Sequence, residues 1–436
     1  MFIFRLGLVE TVPQALIMSI LAPKPIRLLL ISDVHFGKLA ATPEFALSGH
    51  NALHPIQGAV SMKKHLIQTV KGIIPIPQAL LVLGDLTSIA SPSEFRGSVH
   101  AVIEIAGGVG INEENVIFTF GNHDVDWRIC SLATPTGQFP KDEFYNTIAA
   151  HAGNFFAENP PTFENGLLPG SGVFVNDDFE LFVLNSGHFC VSDQDYRHGK
   201  LGEDQLKWLD FVLQRDTPLP KWRILMVHHH PFNYPYPTLA KDISTLEEGA
   251  ELVELAGRRG IDFVCHGHRH HPKISTQMAA TWKGPVTYFC AGSLGVNETE
   301  RNNGQIPNLF HVVSLESRLS NGAAFGSVQT FEYAASEGWR QIRNTKETPL
   351  DHIQYFGVIA TASELSAFAK NFLLPYANRT NSGSRGSVML PSYTDLPPEF
   401  RCQACNDLNT LLQRAARDAG CKTVGLYPGE VALMPR

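Results

Sequence analysis

The chain carries 436 residues, 44% hydrophobic and only 18% charged, which allows two or three domains and excludes a wholly disordered chain, a coiled coil and a collagen-like fibre. Lys and Arg total 35 against 42 Asp and Glu, a net charge of -7, so bulk electrostatics leaves no footprint for a nucleic-acid partner. No run of eighteen apolar residues occurs, so no membrane-spanning helix and no membrane partner are expected.

Residues 1–25 contain an apolar stretch over 15–22, preceded by Glu10 and Pro13 and followed by no clear small-residue cleavage site. They read as an N-terminal extension rather than a signal peptide. Strand-like apolar runs then recur at 26–32, 79–83, 116–120, 181–184, 223–227, 262–265, 287–290 and 309–315. Several are near-continuous Leu, Ile, Val and Phe, the mark of strands covered on both faces. Between them lie helical patterns. Residues 203–214 place Leu206, Leu209 and Leu213 at helical spacing behind Glu203 and Asp204. Residues 246–259 do the same with Leu246, Ala250 and Val253, and Gly260 closes them after Arg258 and Arg259. Strands alternating with helices predict an α/β layered architecture.

The composition changes after about residue 345. Thr361 to Glu364 forms a capping-box pattern ahead of a short helix with Leu365, Phe368 and Phe372. Residues 377–399, rich in Asn, Ser, Gly and Pro, read as a loop. A last helix is expected over 403–418 with Gly420 as its stop, followed by a hairpin from 423–426 and 430–434 around Pro428-Gly429. The domain expectation is thus an extension over 1–25, a large α/β domain over 26–345 and a small α+β extension over 346–436. The seven cysteines are an odd number, scattered in apolar runs such as Val264-Cys265, which fits free thiols in a reducing compartment, the cytoplasm. Cys402 and Cys405 with Cys421 offer only three thiolates, and the plainer reading puts the first two on one helix face.

The 18 histidines are clustered: seven of them (His228, His229, His230, His266, His268, His270, His271) fall in windows 228–230 and 266–271, where random placement would put fewer than one. Five polar elements each follow an apolar run: Asp33-Val-His35, Gly84-Asp85, Gly121-Asn122-His123-Asp124, His229-His230-Pro231 and Gly267-His268-Arg269-His270. Open α/β sheets place their ligands at the carboxyl ends of strands. Residues two apart in extended chain project to one side, so Asp33 and His35 reach one cation, and His268 and His270 reach one ion or two neighbouring ones. Asp, Asn and His without thiolate suit Mn, Fe or Zn with positions open for water.

In this order the five elements resemble the calcineurin-like metallophosphoesterase superfamily, over roughly residues 26–345. The resemblance implies an α/β fold, a four-layer α/β/β/α sandwich of two mixed sheets with a binuclear metal centre at the rim. It implies a first ion on Asp33, His35, Asp85 and His270, and a second on Asp85, Asn122, His229 and His268, with Asp85 bridging. The family ligand is the His two before the Pro, hence His229 rather than His228 or His230. The segment Gly199-Lys-Leu-Gly-Glu-Asp-Gln-Leu-Lys-Trp-Leu209 is similar to one in class III cyclic-nucleotide phosphodiesterases, although packing of Leu206 and Leu209 alone accounts for its helix.

The implied chemistry is attack by a hydroxide bridging two ions about 3.5–4 Å apart, with His123 supplying the leaving group's proton and Asp124 orienting that imidazole. The expected substrate is a small phosphodiester such as a cyclic nucleotide. A phosphomonoesterase is the nearest alternative, and a non-catalytic scaffold is opposed by the complete set of ligand types. His188, His198, His228, Arg128 and Arg269 are further candidates for touching substrate, with Arg269 expected to point away.

Overall fold

A computed structural model describes residues 25–46, 60–125, 170–190, 198–214, 221–233, 244–297, 299, 306–318, 324–342, 352–381, 387–403 and 405–435. The N-terminal extension expected over 1–25 falls almost wholly outside the described residues, as does Arg128.

Two mixed sheets form the centre. In the first, β1 (Ile26–Ile31), β2 (Ala79–Val82) and β3 (Val116–Phe118) run parallel. On the other side of β1 the sheet continues antiparallel through β10 (Leu309–Leu315), β11 (Gly326–Ala334) and β12 (Gly338–Gln341), while β13 (Ile353–Phe356) also pairs with β11, so this sheet extends past residue 345. In the second, β5 (Phe179–Val183), β6 (Trp222–Met226), β7 (Phe263–His266) and β9 (Val286–Cys290) are parallel, edged by antiparallel β4 (Gly172–Val175) and β8 (Lys273–Gln277).

The continuous apolar runs have a simple cause, since alternate residues of each strand face two different cores. Leu28, Leu30 and Leu81 meet Leu181, Ile224, Met226 and Phe289 between the sheets. Leu29, Ile31, Leu80 and Val82 face outward onto Leu66, Phe95, Val102 and Ile105 of α1 (Met62–Lys71) and α2 (Pro92–Val109). On the far side, Leu225, Val227 and Val264 pack against Leu206, Leu209, Leu252 and Leu255 of α3 (Gly202–Val212) and α4 (Gly249–Arg259). The order helix, sheet, sheet, helix is the four-layer α/β/β/α sandwich expected from the resemblance. Each fully buried Leu contributes roughly 1.5–3 kcal/mol to this packing.

The termini of the helices follow sequence chemistry. Ser91 and Glu94 form a reciprocal capping box at the start of α2, and Gly110 closes it at φ 101°. Gly260 closes α4 at φ 78° after Arg258 and Arg259.

The C-terminal residues build a separate small core. A three-stranded sheet, β14 (Val388–Met389), β16 (Ala432–Pro435) and β15 (Cys421–Val424), packs with α5 (Ala362–Asn381), α6 (Pro398–Arg401) and α7 (Cys405–Asp418) around Leu373, Phe400, Leu412 and Leu433. The Thr361 capping box is present, with Glu364 N–H donating to Thr361 Oγ1 at 3.3 Å and Thr361 N–H to Glu364 Oε2 at 2.7 Å. The helix behind it is longer than expected, running through Pro375 to Asn381, because Ala369, Leu373 and Ala377 make a buried stripe at four-residue spacing. Cys402 and Cys405 do not share a helix: Cys402 caps α6 and Cys405 opens α7. Arg401 joins this unit to the first sheet, its guanidinium 4.6 Å from the Phe325 ring centroid and 4.9 Å from that of Tyr355.

Candidate metal centre

The parallel strands of both sheets deliver their carboxyl ends to one rim. From the first sheet come Asp33 and His35 after β1, Asp85 after β2 and Asn122 after β3. From the second come His228 and His229 after β6, and His268 and His270 after β7. The two loops after β1 and β2 are laced together, Asp33 N–H donating to Gly84 O at 3.0 Å and His35 N–H to Asp85 O at 2.9 Å. Leu294 N–H reaches from the end of β9 to Ser32 O at 2.8 Å, and Ser293 Oγ donates to Asp33 O at 2.8 Å.

The backbone carries an independent mark. Six non-glycine residues among those described adopt positive φ, and five of them are Asp33 (52°), His35 (47°), Asp85 (50°), His268 (73°) and His270 (57°). Such conformations cost of order 1–3 kcal/mol each and persist where the surroundings over-determine them, typically at functional sites. Here five sparsely populated conformations coincide with five of the seven residues singled out as ligands.

The side chains converge. His270 Nε2 lies 3.1 Å from Asp33 Oδ1 and 3.4 Å from His35 Nε2, and His35 Nε2 lies 3.8 Å from Asp85 Oδ2. Nitrogen and oxygen atoms of Asp33, His35 and His270 all lie within 4.8 Å of one another, as do those of His35, Asp85 and His123, and those of His228, His229 and His268. Asn122 Oδ1 and His229 Nε2 are buried with no hydrogen-bond partner, unusual for interior polar atoms unless an ion or water takes them. Glycines make the approach possible. A Cβ on Gly121 would stand 2.1 Å from Asp85 Oδ1, and one on Gly267 would stand 2.6 Å from Asp33 Oδ2. A buried and crowded donor set of oxygen and imidazole, with unpartnered atoms at Asn122 Oδ1 and His229 Nε2, fits two borderline divalent ions.

The electrostatics suits ligation. Burial works against ionisation of Asp33, yet the charge of His270 and its hydrogen bond hold that carboxyl below its ordinary value. Burial opposes ionisation of Asp85 too, but His228 and His123 keep it well below. Burial, reinforced by the neighbouring imidazoles, drives His229 and His268 well below the usual histidine value, and burial with His123 takes His35 down to about 3. These rings are therefore neutral, as metal ligands must be. His270 is the exception: against its burial, Asp33 raises it.

The structure also places residues that the motifs did not single out as ligands. His228 enters the cluster, Nε2 3.2 Å from Asp85 Oδ2 and Nδ1 2.7 Å from Leu83 O, so the first histidine of the run reaches from the second sheet across to the first. His123 is partly exposed; its N–H donates to Asp85 Oδ1 at 2.9 Å and its ring Nδ1 faces Ser88 O at 3.0 Å. Asp124, expected to orient that ring, turns its carboxylate instead to the N–H groups of Gly121 (3.0 Å), Leu86 (3.1 Å) and Thr87 (2.9 Å) and to the Thr87 hydroxyl (3.1 Å). It pins the loop after β2 to the turn after β3, and a carbonyl meets the imidazole where a carboxylate was expected. Arg269 points to Ser244, 3.2 Å from its hydroxyl. The loop carrying His188 abuts the site, a Cβ on Gly187 falling 2.5 Å from Gly121 O.

No curated protein matches the chain. Among solved structures it is similar to purple acid phosphatase PPD1 from yellow lupin (Lupinus luteus) seeds, at 12% identity and a TM-score of 0.43 over 71% of this chain and 53% of that one. It is similar to a putative 5'-nucleotidase from Staphylococcus aureus, at 15% identity and a TM-score of 0.35 over 78% and 55%. A third is the NAD nucleotidase of Haemophilus influenzae, at 11% identity and a TM-score of 0.36 over 73% and 54%. The chain spans about half the length of these structures. The model of the calcineurin-like phosphoesterases matches residues 26–272, more than half of the chain, and the chain belongs to that family.

Proposed function

We propose that the chain hydrolyses a phosphodiester, with a cyclic nucleotide as the substrate type, at a binuclear centre. The first ion is assigned to Asp33, His35, Asp85 and His270, and the second to Asp85, Asn122, His229 and His268. The observation that carries the reading is the meeting of these side chains from two sheets with unpaired buried donors at Asn122 and His229. Bound there, Mn, Fe or Zn ions would supply positive charge for phosphate oxygens and activate water at neutral pH.

The chain's own residues then have distinct tasks. Asp85 is held by His123 N–H and groups with His35 and His123 on one side and with Asp33 and His228 on the other, which suits a bridging ligand. His123 Nδ1–H donates to Ser88 O, which orients the ring; in its doubly protonated form the ring would give its Nε2 proton to the leaving alkoxide as the phosphorus–oxygen bond breaks and become neutral imidazole. Asp124 acts one step removed, fixing the turn that presents Asn122 and His123. The segment 199–209, whose resemblance suggests the lineage and not the substrate, packs directly behind His229: a Cβ on Gly199 would fall 2.4 Å from the His229 ring. Free thiols at Cys190, Cys265, Cys290, Cys402 and Cys421 support a cytoplasmic location.

The test is turnover of bis(p-nitrophenyl) phosphate beside p-nitrophenyl phosphate with Mn added. His123→Ala should lower kcat by roughly 10²–10⁴-fold with unchanged metal content. No turnover of either ester by the parent protein defeats the enzyme reading, and a strong preference for the monoester converts it to a phosphomonoesterase.

A further inference from the structure

The hydroxyl of Ser186 touches His229 twice. Ser186 is fully buried at the end of β5; its Oγ accepts the His229 backbone N–H at 3.1 Å and lies 2.8 Å from the ring Nδ1. A neutral imidazole has one N–H and one lone pair. Were the proton on Nε2, a buried donor would stand with no partner, at a cost of about 1–3 kcal/mol. Placed on Nδ1 it donates to Ser186 Oγ, and the Nε2 lone pair faces the cluster of His228 and His268.

Ser186 is itself held firmly. Asn185 N–H donates to Gln205 Oε1 at 2.9 Å, and Gln205 Nε2 returns a hydrogen bond to Asn185 O at 3.0 Å. Lys200 N–H donates to Ser186 O at 3.0 Å. Gln205 is 1% exposed and belongs to α3, so a helix whose apolar face only packs also braces the loop behind the metal centre. From α3 the contacts run through Gln205, Asn185 and Ser186 to His229.

We propose that Ser186 is a positioning residue that locks His229 in the Nδ1-protonated tautomer and aims its Nε2 at the second metal position. The inference rests on the assignment of His229 as a ligand of that ion. Partners of this kind typically contribute 10–100-fold to metal affinity.

The experiment is calorimetric titration of the chelator-stripped full-length protein with Mn²⁺, with Co²⁺ absorption as a second readout of coordination. The parent protein should take two ions. Ser186→Ala should keep one site and weaken the other by about 10–100-fold, with altered Co²⁺ bands and a metal-free melting temperature close to the parent's. Ser186→Cys, nearly equal in volume but a weak acceptor, should weaken the same site. Parent-like affinity at both sites in either folded variant overturns the proposal. So does loss of the second ion in His228→Ala but not in His229→Ala, which would make His228 the ligand. A parent protein that binds no Mn²⁺ at all refutes the binuclear reading itself, a different outcome from failure of the Ser186 role.

Discussion

Gly121→Ala is the sharpest probe of the site, because the added methyl meets only functional atoms. The new Cβ would lie 2.1 Å from Asp85 Oδ1, 2.7 Å from Asp85 N and 2.7 Å from His228 Cδ2. The backbone there is extended, φ -103° and ψ -173°, so alanine suffers no conformational penalty and the effect is purely steric. Restoring ordinary contact at about 3.4 Å requires the Asp85 carboxylate to retreat by about 1.3 Å. Metal ligands tolerate about 0.2 Å, and a misplacement near 1 Å costs about 10²-fold in rate. Overpacking itself should destabilise by about 1–3 kcal/mol. The assay is kcat/KM on the nitrophenyl diester with bound metal counted in parallel; both should fall, the first by about 100-fold. Gly107 supplies the contrast: it is exposed within α2, and a Cβ there meets nothing within 4 Å. Gly107→Ala should leave activity unchanged and raise stability by up to about 1 kcal/mol. Full activity and full metal content in Gly121→Ala would refute the crowding of Asp85 as the reason for glycine at 121.

Other outcomes follow from charge and packing. Asp33 raises His270 against its burial, so this ring carries its proton to higher pH than an ordinary histidine and must release it to bind an ion; Mn²⁺ uptake near neutral pH should release protons, and affinity should rise with pH, as calorimetry in buffers of different ionisation heat can show. Burial and the charge of Asp85 lift Asp124 to about 7. Its folded value lies above its unfolded one, so its stabilisation is complete below about pH 4 and is lost as pH rises to about 7. Denaturant melts of metal-free protein should show the parent's advantage over Asp124→Asn shrinking by up to about 1.4 kcal/mol per pH unit across that window. Arg401→Ala removes a guanidinium packed on Phe325 and Tyr355; it should cost about 1–2 kcal/mol and leave kcat on the diester within a factor of two.

The legible part of the molecule was what residue type and order encode. Apolar strands with both faces covered announced the layered α/β fold, and five short polar elements at their ends announced a site by their joint order, since aspartate or asparagine after a single strand is an ordinary turn residue. Edge elements were illegible for a physical reason. The strand β8 reads Lys-Ile-Ser-Thr-Gln and is half-buried throughout, so it presents no apolar run. The helix α5 passes through a proline and an asparagine-rich end that signal a loop, and only its burial against α7 and β16 keeps it helical. Ser186 and His228 could not be assigned from their neighbours in sequence. Their roles depend on which strand ends stand side by side, and nothing in Leu184 to His188 says that β5 adjoins β6. Even there a trace existed, since the same stretch drew attention for His188.

The seven assigned ligands are divided between two sheets: Asp33, His35, Asp85 and Asn122 follow β1 to β3 on one, and His229, His268 and His270 follow β6 and β7 on the other. Below the rim, side chains such as Leu28, Leu81, Ile224 and Met226 fill the space between those sheets. Turnover is therefore a gauge of interlayer alignment. A cavity cut far below the rim, by Ile224→Ala for instance, would let the layers settle and detune the centre without touching a single group that meets the phosphate.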